Sequence, residues 1–165
     1  MSAPAMLSNR APRSPWKVRY FLDTEFTDFK ACQLISIAVM SEDGREFYGE
    51  CSDFDRPLCS DFVRDTVLPQ LGNFPGRSMP FSQLREELQA WLLAVPLKPK
   101  PILCYDFEGD LGLTHRLLGG PMPRGWKTEN VAQKLDVARL AEYVAAHGGM
   151  HHALHDARAN AYAFR

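Results

Sequence analysis

The run GGMHHALHDARANAYAF (148–164) carries His151, His152 and His155 within five positions, and Asp156 follows at once. Imidazole is both a metal ligand and a proton acceptor suited to neutral pH, since histidine ordinarily titrates at ~6.5. His147, His151 and His155 recur every four residues, a spacing that lines one helical face and can bind zinc. Gly148-Gly149 interrupts that face and no cysteine lies nearby, which leaves a general base beside a carboxylate as the competing chemistry. Far upstream, FLDTEF places Asp23 and Glu25 two apart at the end of a strand-forming run, so both point to one face. Two such carboxylates repel each other and are costly to desolvate. A divalent cation removes that cost, because hard cations prefer carboxylate oxygens; a strand end already in water has no such cost. A third set, Asp106, Glu108 and Asp110, follows the apolar run ILCY. Acids at that point also serve as helix caps.

These residues need elements to position them. VRYFLDTEF (18–26) is apolar on both faces and predicts a central strand. QLISIAVM (33–40), the turn SEDG and REFYGEC (45–51) predict a hairpin. SDFVRDTVLPQL (60–71) predicts a short helix capped by Ser60. FSQLREELQAWLLAV (81–95) predicts an amphipathic helix burying Leu84, Leu88, Trp91, Leu92 and Val95. PKPILCY (99–105) predicts a short buried strand, and DLGLTHRLLGG (110–120) a helix stopped by its glycines. Residues 129–149 read as mainly helical, and the histidine run opens a last helix. The hairpin comes first and the helices later, which is a mixed α/β domain and not an alternating Rossmann chain.

The chain has 165 residues, room for one ordinary domain, with net charge -1. Near-neutrality argues against coating nucleic acid by charge alone. Residues 1–17, rich in Pro, Ser and Ala, predict a flexible tail holding Arg10, Arg13 and Lys17 and no acid, so the remainder is net acidic. The cysteines Cys32, Cys51, Cys59 and Cys104 form no C-x-x-C pair, and the expectation is reduced core thiols in a cytoplasmic protein. No apolar run reaches the ~18 residues of a membrane span, and the N-terminus lacks a signal-peptide apolar stretch.

Together, D-T-E ending an early strand, an aspartate after a later strand and H-x-x-x-x-D near the C-terminus resemble the DEDDh group of 3'–5' exonucleases. This is the DnaQ-like set, which includes RNase T, oligoribonuclease and polymerase proofreading subunits. HHALHDARA looks like its third motif. The resemblance runs over about residues 18–164 and is nearest to small stand-alone bacterial exoribonucleases. It implies a ribonuclease H-like α/β fold, a mixed five-stranded sheet flanked by helices, forming one domain over 18–165. It implies Asp23, Glu25, Asp110 and Asp156 as ligands of two Mg²⁺ or Mn²⁺ ions, with Asp106 the rival of Asp110. It makes His151, five positions before Asp156, the general base; residue chemistry alone does not separate it from His152 or His155. The implied reaction releases nucleoside 5'-monophosphates from the 3' end of single-stranded RNA by a two-metal mechanism. A DNA exonuclease and a non-catalytic nucleic-acid-binding module are the alternatives. Phe26, Thr27 and Phe29 are candidates to line the terminal nucleotide, and Arg45, Arg158 and Lys30 to meet phosphates. Family members often pair as homodimers. Two departures stand out: Phe26 replaces a common threonine, and Tyr105-Asp106 replaces the usual His-Asn.

Overall fold

The computed structural model describes residues 14–165. The tail expected over 1–17 lies mostly outside them, and Lys17 already opens the first strand. β1 (Lys17–Phe26), β2 (Leu34–Ser41) and β3 (Glu46–Cys51) form an antiparallel meander. β4 (Ser78–Met79), β5 (Lys100–Tyr105) and β6 (Lys127–Asn130) complete a six-stranded sheet of order β4-β3-β2-β1-β5-β6. β5 runs parallel to β1, which puts the apolar β1 inside the sheet, as its two-sided pattern requires.

The sixth strand departs from the expected five. β4 has two residues, too few for a pattern, and β6 reads KTEN, polar and mostly exposed. Residues 129 and 130 were expected to be helical; pairing with the edge of β5 makes them strand instead, a tertiary contact overriding local preference. Segment 60–71 also differs from a regular helix. Ser60 Oγ does accept from the Val63 N–H at 3.2 Å. The chain then widens into a π-helical turn (Val63–Val67) and tightens into a 3₁₀ turn (Leu68–Gln70), where Pro69 has no N–H to continue an α-helix.

Helices cover both faces. α1 (Phe81–Ala94) buries Leu84, Leu88 and Leu92, each contributing about 1.5–3 kcal/mol of apolar burial. It packs with α2 (Glu108–Leu118) over Tyr20, Leu22, Ile37 and Val39. Gly119 ends α2 in the left-handed region, at φ 77°. On the other face lie α3 (Val137–His147) and α4 (Ala153–Ala163). Asp136 caps α3 by accepting from the Arg139 N–H. Ala153, Ala157 and Ala159 of α4 are buried with Ala38 and Met40 of β2; small side chains let this helix lie close to the sheet. The four cysteines are free thiols, all but Cys32 buried. No helix among the described residues is long and apolar enough to cross a membrane.

His152 closes this second core. Its ring stacks on Tyr48 at 4.9 Å and neither ring nitrogen has a hydrogen-bond partner. Burial, then the charges of His155 and Arg158, pull its pKa down to about 4 from 6.5. The unfolded chain therefore binds a proton that the fold refuses, and stability is lost as pH falls through that window. His152→Phe keeps the stack and removes the titration. Thermal melts from pH 7 to pH 4.5 should show the variant's Tm falling less than the wild type's.

Candidate active site

Alternation along β1 sends Val18, Tyr20 and Leu22 toward α1 and α2, and Phe21, Asp23 and Glu25 toward the other face. The register with β2 breaks between Glu25 and Phe26. Such a bulge ends regular pairing and re-aims side chains, and bulges recur beside active sites. α4 meets this strand end with Asp156, and the first turn of α2 meets it with Asp110.

The result is two overlapping carboxylate groups. Asp23, Glu25 and Asp156 bring ligand oxygens within 4.8 Å of one another, and so do Asp23, Asp106 and Asp110. Asp23 belongs to both. Its Oδ2 is buried with no hydrogen-bond partner, the state expected of an oxygen placed for a cation. The all-oxygen donor set fits Mg²⁺ or Mn²⁺ better than zinc. Asp106 and Asp110 were alternatives in the sequence, and both reach the site.

Neighbouring groups fix these acids. Thr24, on the opposite side of β1 from Asp23, donates its hydroxyl to Asp110 Oδ1 at 2.6 Å. The backbone N–H of His151 donates to Asp156 Oδ2 at 3.0 Å. Asn160 lies beside Asp106 and favours its charged form; it is one helical turn beyond Asp156, so both face the site. The carboxyls titrate high because they are buried together. Asp23 is pushed well above its ordinary range by burial, then by Asp156 and Asp110. Glu25 is pushed up to about 8, by burial, Asp156 and Asp110. Asp110 and Asp156 each rise to about 7, chiefly by burial. Glu25 and Asp156 lie close enough to share a proton, which favours the protonated form of the pair.

The three histidines separate in space. His151 has φ 63°, a left-handed conformation that histidine adopts more readily than most residues. Its ring lines the carboxylate cavity and meets Phe62 edge-on at 4.9 Å. His152 turns into the core. His155 lies over Gly149, where an added Cβ would sit 2.5 Å from its Nδ1. His147 packs on Tyr143. No candidate metal group among the described residues includes a histidine, so the zinc alignment does not form.

The cavity, about 430 Å³, has carboxylates as its floor and Phe26, Phe29, Phe62 and Phe107 on its walls. Phe29 is 80% exposed, Phe62 54% and Phe107 44%. Phe26 lies 5.4 Å from Phe29 and 6.2 Å from Phe107 between ring centroids. Thr27 corrects the expectation of a nucleotide contact. It is fully buried, donates to the Ala31 carbonyl at 3.1 Å and accepts from the Gln33 N–H at 2.9 Å, so it ties the loop that carries Phe29. Arg158 is also redirected: it makes a bidentate pair with Glu46 at 2.5 and 3.0 Å. Two positions after Asp156, it faces away from the site. Arg45 lies in the β2–β3 turn with Asp43, while Lys30 is exposed beside Phe29. The sequence pattern does not mark Thr24, Asn160, Phe62 or Phe107 as site residues. Only Asn160 carried a usable signal, its four-residue offset from Asp156.

The architecture has clear counterparts among solved structures. It superposes on the cell-death related nuclease CRN-4 with TM-score 0.56 and 18% identity, over 89% of this chain and 62% of that one. Exonuclease I of E. coli bound to a dA13 oligonucleotide gives 0.55 and 14%, over 88% of this chain and 39% of that one. Exonuclease I of Methylocaldum szegediense gives 0.53 and 14%, over 87% and 38%. The fold is that of the DnaQ-like exonucleases. The resemblance read from the sequence is thus borne out, and the DnaQ-like sheet with helices on both faces matches the ribonuclease H-like class expected. No family model matches the chain. Two curated proteins from Mycobacterium tuberculosis strains, both named 3'-5' exoribonuclease, are 49% identical to it over 55 residues. That segment spans a third of this chain and a third of each relative.

Raised carboxyl pKa values set a pH dependence for cation binding. Near pH 6 Glu25, Asp110 and Asp156 hold protons that a cation must displace, and by pH 8.5 these have largely been released. Mn²⁺ should therefore raise the Tm more at pH 8.5 than at pH 6 in thermal-shift titrations. Equal shifts at both pH values would mean that the cluster is not the binding site.

Proposed function

We propose that this chain is a divalent-metal-dependent 3'–5' exoribonuclease that hydrolyses the 3'-terminal phosphodiester of single-stranded RNA or RNA overhangs and releases nucleoside 5'-monophosphates. The observation that carries this reading is Asp23 shared between two carboxylate groups, with His151 facing the same cavity. RNA as substrate draws support from the exoribonuclease names of the mycobacterial relatives. The structural counterpart holding a DNA oligonucleotide favours single-stranded DNA as the second reading. Free thiols at all four cysteines suit a reducing, cytoplasmic setting. Residues 18–165 are taken as the catalytic domain.

Two divalent cations, Mg²⁺ or Mn²⁺, held there would polarise the scissile phosphate and acidify the attacking water. Asp23, Glu25, Asp110 and Asp156 would hold them. His151 takes the water's proton, its ring directed into the cavity by the left-handed backbone. The N–H of the same residue grips Asp156, so the base and one ligand are placed by a single peptide. Phe26, Phe29, Phe62 and Phe107 offer faces to unstacked bases. Stacking on aromatic rings tolerates any base, at about 1–3 kcal/mol each, and suits a substrate held by its last nucleotides and not by a broad basic surface. Thr24 holds Asp110 on its ligand position.

Asp23→Ala should abolish mononucleotide release from a short single-stranded RNA in Mg²⁺ or Mn²⁺; full activity would end this assignment. His151→Ala should slow turnover by about 10²–10⁴-fold while Mn²⁺ binding, followed calorimetrically, persists. His155→Ala should be mild, and the reverse ranking would move the base. Phe29→Ala should raise KM by roughly tenfold with less change in kcat, as expected for a lost stacking contact. Matched RNA and DNA oligomers assayed side by side decide the sugar preference.

A further inference from the structure

Asp106 follows the last residue of β5 and precedes Phe107, the residue that caps α2. An aspartate there would ordinarily satisfy free N–H groups of the helix. It does not: no N–H of the first turn of α2 donates to Asp106, and the Asp110 N–H turns back to the Phe107 carbonyl at 3.0 Å. The carboxylate instead lies beside Asn160, a residue 7% exposed on α4 that favours its charged form, and brings an oxygen within 4.8 Å of ligand oxygens of Asp23 and Asp110. A buried amide from a different helix thus lies against the third acid, which meets the two others. Without a cation this gathers repulsion for no return. The buried Oδ2 of Asp23, lacking any hydrogen-bond partner, supplies the second sign that a cation belongs there.

We propose that Asp106 is a fifth metal-holding carboxylate, which with Asp23 and Asp110 forms one complete cation position oriented by Asn160, while Asp23, Glu25 and Asp156 form the other. This rests on the divalent-metal reading of the site. Five carboxylates against two divalent ions leave one negative charge in excess, and cation affinity rises with the ligand charge count. Each position then holds three carboxylates, with Asp23 common to both, and removing Asp106 leaves its position with two. Asn160 is a positioning residue: it acts through Asp106 and need not touch the ion.

The experiment is an Mn²⁺ titration of the metal-stripped full chain, with free Mn²⁺ read by its electron paramagnetic resonance signal and no RNA present. Two binding steps are expected for the wild type. Asp106→Asn, which keeps shape and removes charge, should weaken one of the two steps by about tenfold or more and leave the other unchanged. Glu25→Gln should weaken the other step. Asn160→Ala keeps the Asp106 charge and should loosen the same step as Asp106→Asn, which separates orientation from net charge. Circular dichroism on each variant checks folding, and Asn160→Ala carries the test if Asp106→Asn does not fold. An Asp106→Asn titration that overlays the wild type, or a folded Asn160→Ala that does so, overturns the proposal. The exonuclease reading fails separately: a wild type that binds two Mn²⁺ but cleaves no RNA would sink that reading and leave this one standing.

Discussion

Like charges held together away from water are the constraint to which the rest of the structure answers. Asp23, Glu25, Asp110 and Asp156 share one cavity with Asp106 at its exposed edge, and burial and mutual repulsion drive those four toward the protonated form. No isolated segment would keep such a cluster closed. The sheet supplies a rigid base: β1 is clamped between β2 and β5, with Leu22 and Ile37 fully buried beneath it. α4 then approaches on alanines, and α2 starts where β5 ends. The stability of these apolar layers offsets the strain of bringing the acids together.

Single hydrogen bonds set the fine placement. The Thr24 hydroxyl and the His151 amide each hold one carboxylate, and the Asn160 side chain lies against a third. Each comes from a different element than the acid it holds, except His151, which precedes Asp156 by less than two turns. Cross-element bracing of this kind is how a ligand set is kept open before the ion arrives. The left-handed residue at 151 adds a directional effect. It sends consecutive histidines to opposite environments, one into the cavity and one into the core beside Tyr48.

The strands β1 to β3 and helix α1 were legible because their apolar residues recur at strand or helix period over eight or more positions or sit in a hairpin with a clear turn. β4 and β6 were not, since a two-residue strand has no period and KTEN has no apolar face. The acids were visible as residue types near strand ends, but which of them meet depends on distances between β1, α2 and α4 that spacing does not encode. Asp106 and Asp110 looked like alternatives for one role because a linear motif offers one slot, whereas the folded turn brings both to Asp23. Thr24 and Thr27 show the same gap. Both are buried threonines near the acids, but only strand alternation and loop closure tell which braces Asp110 and which ties the loop. Phe62 and Phe107 are single aromatics in irregular segments and acquire meaning only as walls of a shared cavity.

Asp23 and Asp156 are separated by most of the domain in sequence yet meet in space. Their meeting completes a loop closure that few local contacts can anticipate, since long-range contacts form only after chain entropy has been given up. The β1–β3 meander on its own offers Asp23 and Glu25, two ligands with no lid over them. A cation therefore cannot guide this chain to its fold in the way that zinc organises a small finger. It can only lock a scaffold that apolar packing has already assembled, and a partly folded chain in which α4 has not yet docked lacks Asp156 and with it one of the two carboxylate groups.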